Sequence, residues 1–108
     1  MRNKMELCRV RAEMIKSLAH PARLFVVELL SGGERCVCEL AALSGCGISA
    51  LSKHLSALKS IGIVDSRRDK NRIFYQLHCN CLPQFLKCMD TLAGASLEKK
   101  ISAAKLLR

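Results

Sequence analysis

Apolar residues recur along this chain at helical spacing, and polar or glycine-rich breaks divide the pattern into short segments. Leu7, Val10, Met14 and Leu18 share one face of a first helix. It ends at His20-Pro21, because a residue before proline is pushed out of helical conformation while proline suits the first turn of a new helix. HPARLFVVELL then reads as a second helix, stopped by Ser31-Gly32-Gly33. A third, short helix is expected from about Val37 to Leu43 and halts at the glycine-rich turn Ser44-Gly45-Cys46-Gly47. A fourth begins at Ile48 or Ser49, with Ile48, Leu51, Leu55 and Leu58 on one face and Gly62 as its C-terminal stop. Ile63 to Arg68 and Arg72 to Leu77 read as strands around the polar turn Asp69-Lys70-Asn71. A fifth helix starts near Cys81, with Pro83 in its first turn, and breaks at Gly94. The tail SLEKKISAAKLLR is a weaker amphipathic helix.

This order predicts a winged helix-turn-helix: mainly α, with a small β-hairpin. The expected organisation is one domain over residues 1–108, with N- and C-terminal helices available for dimerisation. Half of the 108 residues are hydrophobic, enough for a real core. With three Phe, one Tyr and no Trp, that core must be aliphatic. A domain of this size still exposes much apolar surface, which favours pairing with a second copy.

Charge narrows the function. Lys and Arg number 18 against 9 acids, a net +9, which suits phosphate backbones or anionic surfaces. No run approaches the roughly 18–20 apolar residues of a membrane span, and the charged opening MRNKMELCRVRAEM does not read as a signal peptide. The expected location is the cytoplasm, where thiols stay reduced. Seven cysteines is a high, odd count there and points to metal or redox chemistry rather than staples. No phosphate loop, hydrolase elbow or acid–base pair suggests an enzyme.

The helix, glycine turn, helix unit is the DNA-reading motif, whose second helix enters the major groove with its N-terminal residues. Those residues are Ser49, Ala50, Ser52, Lys53 and His54. Ser, Lys and His can donate to phosphates or base edges, and small residues allow close approach. Ser49 can also cap the helix, and His54 can instead be a core histidine held by a carbonyl. The hairpin carries Arg67, Arg68, Lys70 and Arg72. A basic hairpin directly after a recognition helix is placed to lie along phosphates or in the minor groove, though charged turns are also common solvated features.

The segments LAHPARLFVVELL, ERCVCEL, SALSKHLSALKSIGIV and DSRRDKNRIFYQL, in this order over roughly residues 15 to 78, resemble the ArsR/SmtB family of metal-responsive repressors. Cys36-Val37-Cys38 ahead of the helix-turn-helix is the most specific element. The resemblance implies a homodimer built through the first and last long helices. It also implies that the metal-free dimer binds an inverted repeat in double-stranded DNA and releases it on binding an inducer.

Thiolates are soft ligands for As(III), Cd(II), Pb(II), Zn(II) or Cu(I). On a helix, side chains two residues apart point about 200° apart, whereas on extended backbone they share one face. Cys36 and Cys38 can therefore hold one ion only if the helix start is irregular or unwinds; otherwise they are two ordinary thiols. Arsenic-sensing members of the family often carry a further Cys where this chain has Ala41. Cadmium- and lead-sensing members draw thiols from the N-terminal region, often the other protomer's, so the resemblance implies Cys8 with Cys36 and Cys38. Cys79 and Cys81 form a second pair, a thiolate site or a redox pair. The zinc-type site of the closing helix is not expected, since Leu92 and Ala95 stand where acid or His partners would be needed. Cys46 reads as a turn residue. Cys88 lies about 10 Å along a helix from Cys81, too far to bond, and reads as interface packing.

The expected function is a repressor released from its operator by a thiophilic metal or metalloid. A repressor of the same fold answering to thiol oxidation or persulfide, an inducer-independent DNA-binding protein and a thiol-rich metal store are the competing readings. Metal, oxidant and DNA titrations separate them.

Overall fold

The computed structural model describes residues 3–106. Helix α1 spans Lys4–Leu18, opened by Asn3, whose side chain accepts the Glu6 N–H at 2.8 Å. Helix α2, Pro21–Leu30, starts with proline at its first position after the extended His20, as the X-Pro rule requires. The two-residue strand β1, Arg35–Cys36, follows, then α3, Val37–Ser44, and α4, Ile48–Ser60. Gly45 joins the last two at φ 73°, a left-handed conformation that glycine adopts without a Cβ clash. Strands β2, Val64–Asp69, and β3, Arg72–Leu77, form the hairpin, and α5 covers Cys81–Leu106 with a break at Gly94 (φ 38°, ψ −124°).

The helices and the hairpin lie close to the expected bounds. The addition is β1. It pairs antiparallel with β3 in the order β1-β3-β2, with Cys36 opposite Phe74, so the wing is a three-stranded sheet. Asp69 pairs with Arg72, leaving Lys70 and Asn71 as a two-residue loop in which Lys70 takes φ 58°.

The core is aliphatic. Val26, Val27 and Leu30 of α2, Leu40 of α3, and Leu51, Leu55 and Leu58 of α4 pack with Leu18, Ile63 and Val64. Burial of each such leucine contributes about 1.5–3 kcal/mol, and together they fix α4 against α2 and α3 with its polar face outward. Outside this core a second apolar surface stays open. Met5, Leu7, Val10, Met14 and Ile15 of α1 are exposed, as are Leu24, Phe25, Phe85 and Met89. Among the described residues no helix is long and apolar enough to cross a membrane.

Candidate nucleic-acid interface and thiol sites

Helix α4 alternates between anchoring and presentation. Leu51, Leu55 and Leu58 are buried, while Ser49 ahead of them and Ser52 and Lys53 between them stand exposed. His54 is half-buried and turned to its own chain. Its Nδ1 accepts from Arg23 Nε at 3.1 Å, and its ring lies 4.4 Å from that of His20. Burial, with His20 and Arg23 close by, holds the imidazole below its ordinary pKa. Arg23 also donates from Nη1 to the Ser17 carbonyl at 2.8 Å, joining the end of α1 to α2 and α4. The partner of His54 is thus an arginine rather than the carbonyl that the sequence suggested, and nothing in the helix period pointed to Arg23.

The wing arginines divide by strand alternation. Successive strand residues face opposite ways. Arg67 lies opposite Phe74 and its guanidinium sits 4.6 Å from that ring, while Arg68 pairs with Ile73. Arg67 is forked onto Glu34, Nε to Oε2 at 2.8 Å and Nη2 to Oε1 at 2.6 Å. This fork holds the Glu34 carboxyl below the usual carboxylate range. Arg67 was expected among the DNA contacts; the structure engages it within the chain, as a strap from β2 to the loop before β1. Arg67 itself stays at the surface, and Arg68, Lys70 and Arg72 are exposed with it. A second tie, Lys59 Nζ to Ser66 Oγ at 2.6 Å, links the end of α4 to the wing. Recognition helix and wing are therefore held to each other, as a two-element DNA reader requires.

Between them lies a crevice of about 390 Å³, lined by Cys36 and Cys38 from the α3 start, Ser52 and Ser56 from α4, and Arg72 and Tyr75 from the wing. Cys36 is extended and 3 % exposed; Cys38, the second residue of the helix, is exposed. Cys36 is the N-cap, so the pair straddles the start of α3 rather than lying wholly within it. Cys36 forms a capping box with Glu39: the Cys36 backbone N–H donates to Glu39 Oε1 at 3.3 Å. That bond first, and the facing Cys36 thiol second, keep the Glu39 carboxyl below its usual pKa.

Thiophilic ions require soft donors, and Cys36 and Cys38 offer them to one crevice. Cys8 is exposed on α1 and does not line it. Among the described residues no cluster of three or more His, Cys, Asp or Glu is close enough to hold a metal. One chain thus brings two thiols to the crevice. Cys79 and Cys81 lie elsewhere, with their sulfurs in contact at the joint between β3 and α5. Cys46 is half-buried against the core, and Cys88 is exposed on α5.

Residues 20–66, which contain α2, the helix-turn-helix and the start of β2, match the family model "Bacterial regulatory protein, arsR family". The chain is 33 % identical over 103 residues to the HTH-type transcriptional regulator Rv0081 of Mycobacterium tuberculosis, covering 94 % of this chain and 90 % of the relative. It belongs to the ArsR family. This ArsR-family chain is accordingly a DNA-binding transcriptional regulator and not an enzyme. The crystal structure of Rv0081 superposes with a TM-score of 0.78 over 88 % of this chain and 96 % of that one, at 33 % identity. The homodimeric winged helix-turn-helix domain of Mb0332 from Mycobacterium bovis, a possible ArsR-family regulator, matches with a TM-score of 0.75 at 31 % identity, over 86 % of each chain. The biofilm growth-associated repressor of Agrobacterium fabrum is 46 % identical over 66 residues, 61 % of this chain and 56 % of the relative.

Proposed function

We propose that this ArsR-family regulator is a homodimeric repressor of an inverted-repeat operator, released when Cys36 and Cys38 capture a thiophilic ion such as As(III), Cd(II), Pb(II) or Zn(II). One observation carries the reading: both thiols line the crevice that recognition helix and wing share. The ion's contribution is strong thiolate bonding. The rest belongs to the chain. Cys36 gives up its place as N-cap when its sulfur turns to meet Cys38. Glu39 then loses its partner, the first turn of α3 loosens, and Leu40 of that helix sits in the core beneath α4. Ser49, Ser52 and Lys53 shift relative to Arg68, Lys70 and Arg72, and the grip on DNA weakens. A further donor comes from the second protomer, for which Cys8 is the candidate.

A second copy also accounts for the open apolar surface. Ile15, Leu24, Phe25, Phe85 and Met89 line a groove of about 580 Å³ between α1, α2 and α5, and the Mb0332 domain is homodimeric. Sedimentation of the DNA-free protein should report a dimer at micromolar concentration; a monomer would contradict paired recognition helices on a palindrome.

The testing experiment is an operator-binding titration with As(III), Cd(II), Pb(II), Zn(II) and a mild oxidant in parallel. At least one ion should release DNA from wild-type protein. Lys53→Ala and Arg68→Ala should each weaken binding before any ion is added. Unchanged affinity in both variants removes the DNA surface, and release by oxidant alone removes the ion.

A further inference from the structure

The Cys79/Cys81 pair takes no part in the reading above, and its placement is unlike that of any other thiol in the chain. Both residues are exposed, their sulfurs meet, and their Cα atoms are 5.4 Å apart, inside the span a disulfide bridges. Among the described residues they are the one pair of cysteines in such contact. The backbone N–H of Cys81 donates to Cys79 Sγ at 3.4 Å.

What stands on either side gives the pair its meaning. His78, immediately before it, is pinned to the wing: its N–H donates to the Ile63 carbonyl at 2.9 Å, and its Nδ1 lies 2.7 Å from Asp65 Oδ2. Cys81 is the first residue of α5, which Leu82 and Leu86 seat on the core and which carries Phe85 and Met89 on the open apolar surface. A bond between the sulfurs therefore spans the joint between a fixed point of the DNA-reading half and the helix that a second copy would cover.

We infer that Cys79 and Cys81 form a reversible modification site, oxidised to an intramolecular disulfide by low-molecular-weight disulfides such as that of glutathione, and that its state sets the angle between wing and α5. The chemistry balances by two exchanges. One thiolate of the pair attacks a sulfur of the external disulfide, forming a mixed disulfide and expelling one thiolate. The second cysteine attacks the protein-side sulfur, closing the Cys79–Cys81 bond and expelling the other thiolate. The pair loses two electrons and two protons, and the small disulfide becomes two thiols. Short separation makes the second step intramolecular and fast, so the mixed disulfide does not accumulate. Locking or freeing the joint alters how α5 directs the two recognition helices of a dimer, and operator affinity reads that change.

The test uses full-length, chelator-treated protein carrying Cys36→Ser and Cys38→Ser, so that the outcome is independent of ion sensing. It is equilibrated in glutathione buffers of rising disulfide fraction, alkylated and analysed by intact mass and peptide mapping. Cys79 and Cys81 should lose both alkyl adducts together, and the unalkylated protein should become about 2 Da lighter, while Cys8 still reacts. Operator affinity should differ at least about fivefold between the two forms. Cys79→Ser or Cys81→Ser added to this background should instead trap a single glutathione adduct on the remaining cysteine and abolish the two-state response; far-ultraviolet circular dichroism checks that each variant is folded. A pair that stays alkylated when Cys8 is already oxidised, or a disulfide that leaves operator affinity within twofold, overturns the inference.

Discussion

The two Cys-X-Cys pairs sit at the same kind of place, the start of a helix, and end in different surroundings. Cys36 is an N-cap on a strand that pairs with β3, so sheet and core close over it, while Cys38, two residues on, emerges at the surface. Cys79 leaves the sheet after the last paired residue, Leu77, and both members of that pair face solvent. One residue of register and the presence of a partner strand separate them. The first pair is therefore wired into the packing beneath the recognition helix and can act only by disturbing it. The second can close or open with little repacking and acts on a joint. Spacing alone does not assign a thiol pair its chemistry; the partner of the residue before the helix does.

The largest expected effect tests that division directly. Cys36→Ser and Cys38→Ser should bind operator as wild type does yet lose ion-triggered release, removing a coupling of about 1–3 kcal/mol. The ultraviolet thiolate-to-metal absorption should vanish with it. Cys8→Ser should reduce the response partially, and Cys88→Ser should leave it intact. If Cys79→Ser abolished ion release while Cys36→Ser did not, the roles of the pairs would be reversed.

Stability should separate the pairs more gently. Cys36→Ala empties buried volume and a capping position and should cost about 1–2 kcal/mol in urea unfolding, against no more than about 0.5 kcal/mol for Cys38→Ala. Equal costs would mean that Cys36 is not held as described.

The smallest effect is on acid stability. Glu39 has its pKa lowered in the fold, by the Cys36 N–H first and the Cys36 side chain next. Its folded form binds fewer protons than its unfolded form, so its contribution is present above the ordinary value of 4.5 and is lost as pH falls through the folded value. Glu39→Gln should flatten the stability profile in that acid window, whereas Cys79→Ser should leave the profile unchanged.

Much of this architecture was legible in the chain, for physical reasons. Pro21 opens α2, and Gly45 and Gly94 fall where the backbone turns left-handed or breaks. The leucines of α4 recur at helical period because one face is buried. Strand β1 was not legible, since two residues have no period and exist as a strand only through β3. The Arg67 fork depended on that sheet: Glu34 lies 33 residues away, and nothing local says that one wing arginine is tied down while its neighbour is not. His54 was legible as DNA-facing or as a core histidine held by a carbonyl, but its half-buried place and its Arg23 partner, 31 residues distant, were not.

The Glu34–Arg67 strap bears on how an operator titration is to be interpreted. It lies at the surface, with the Arg67 side chain 52 % exposed and that of Glu34 28 %, so dissolved ions weaken it. Raising ionic strength then acts twice: it competes with the phosphate contacts, and it unfastens the wing that presents some of them. A double-logarithmic plot of affinity against salt should steepen toward high salt, and its slope there counts more displaced ions than the protein has phosphate contacts. Arg67→Gln should straighten the plot while lowering affinity throughout, although the side chain it removes need never touch a phosphate.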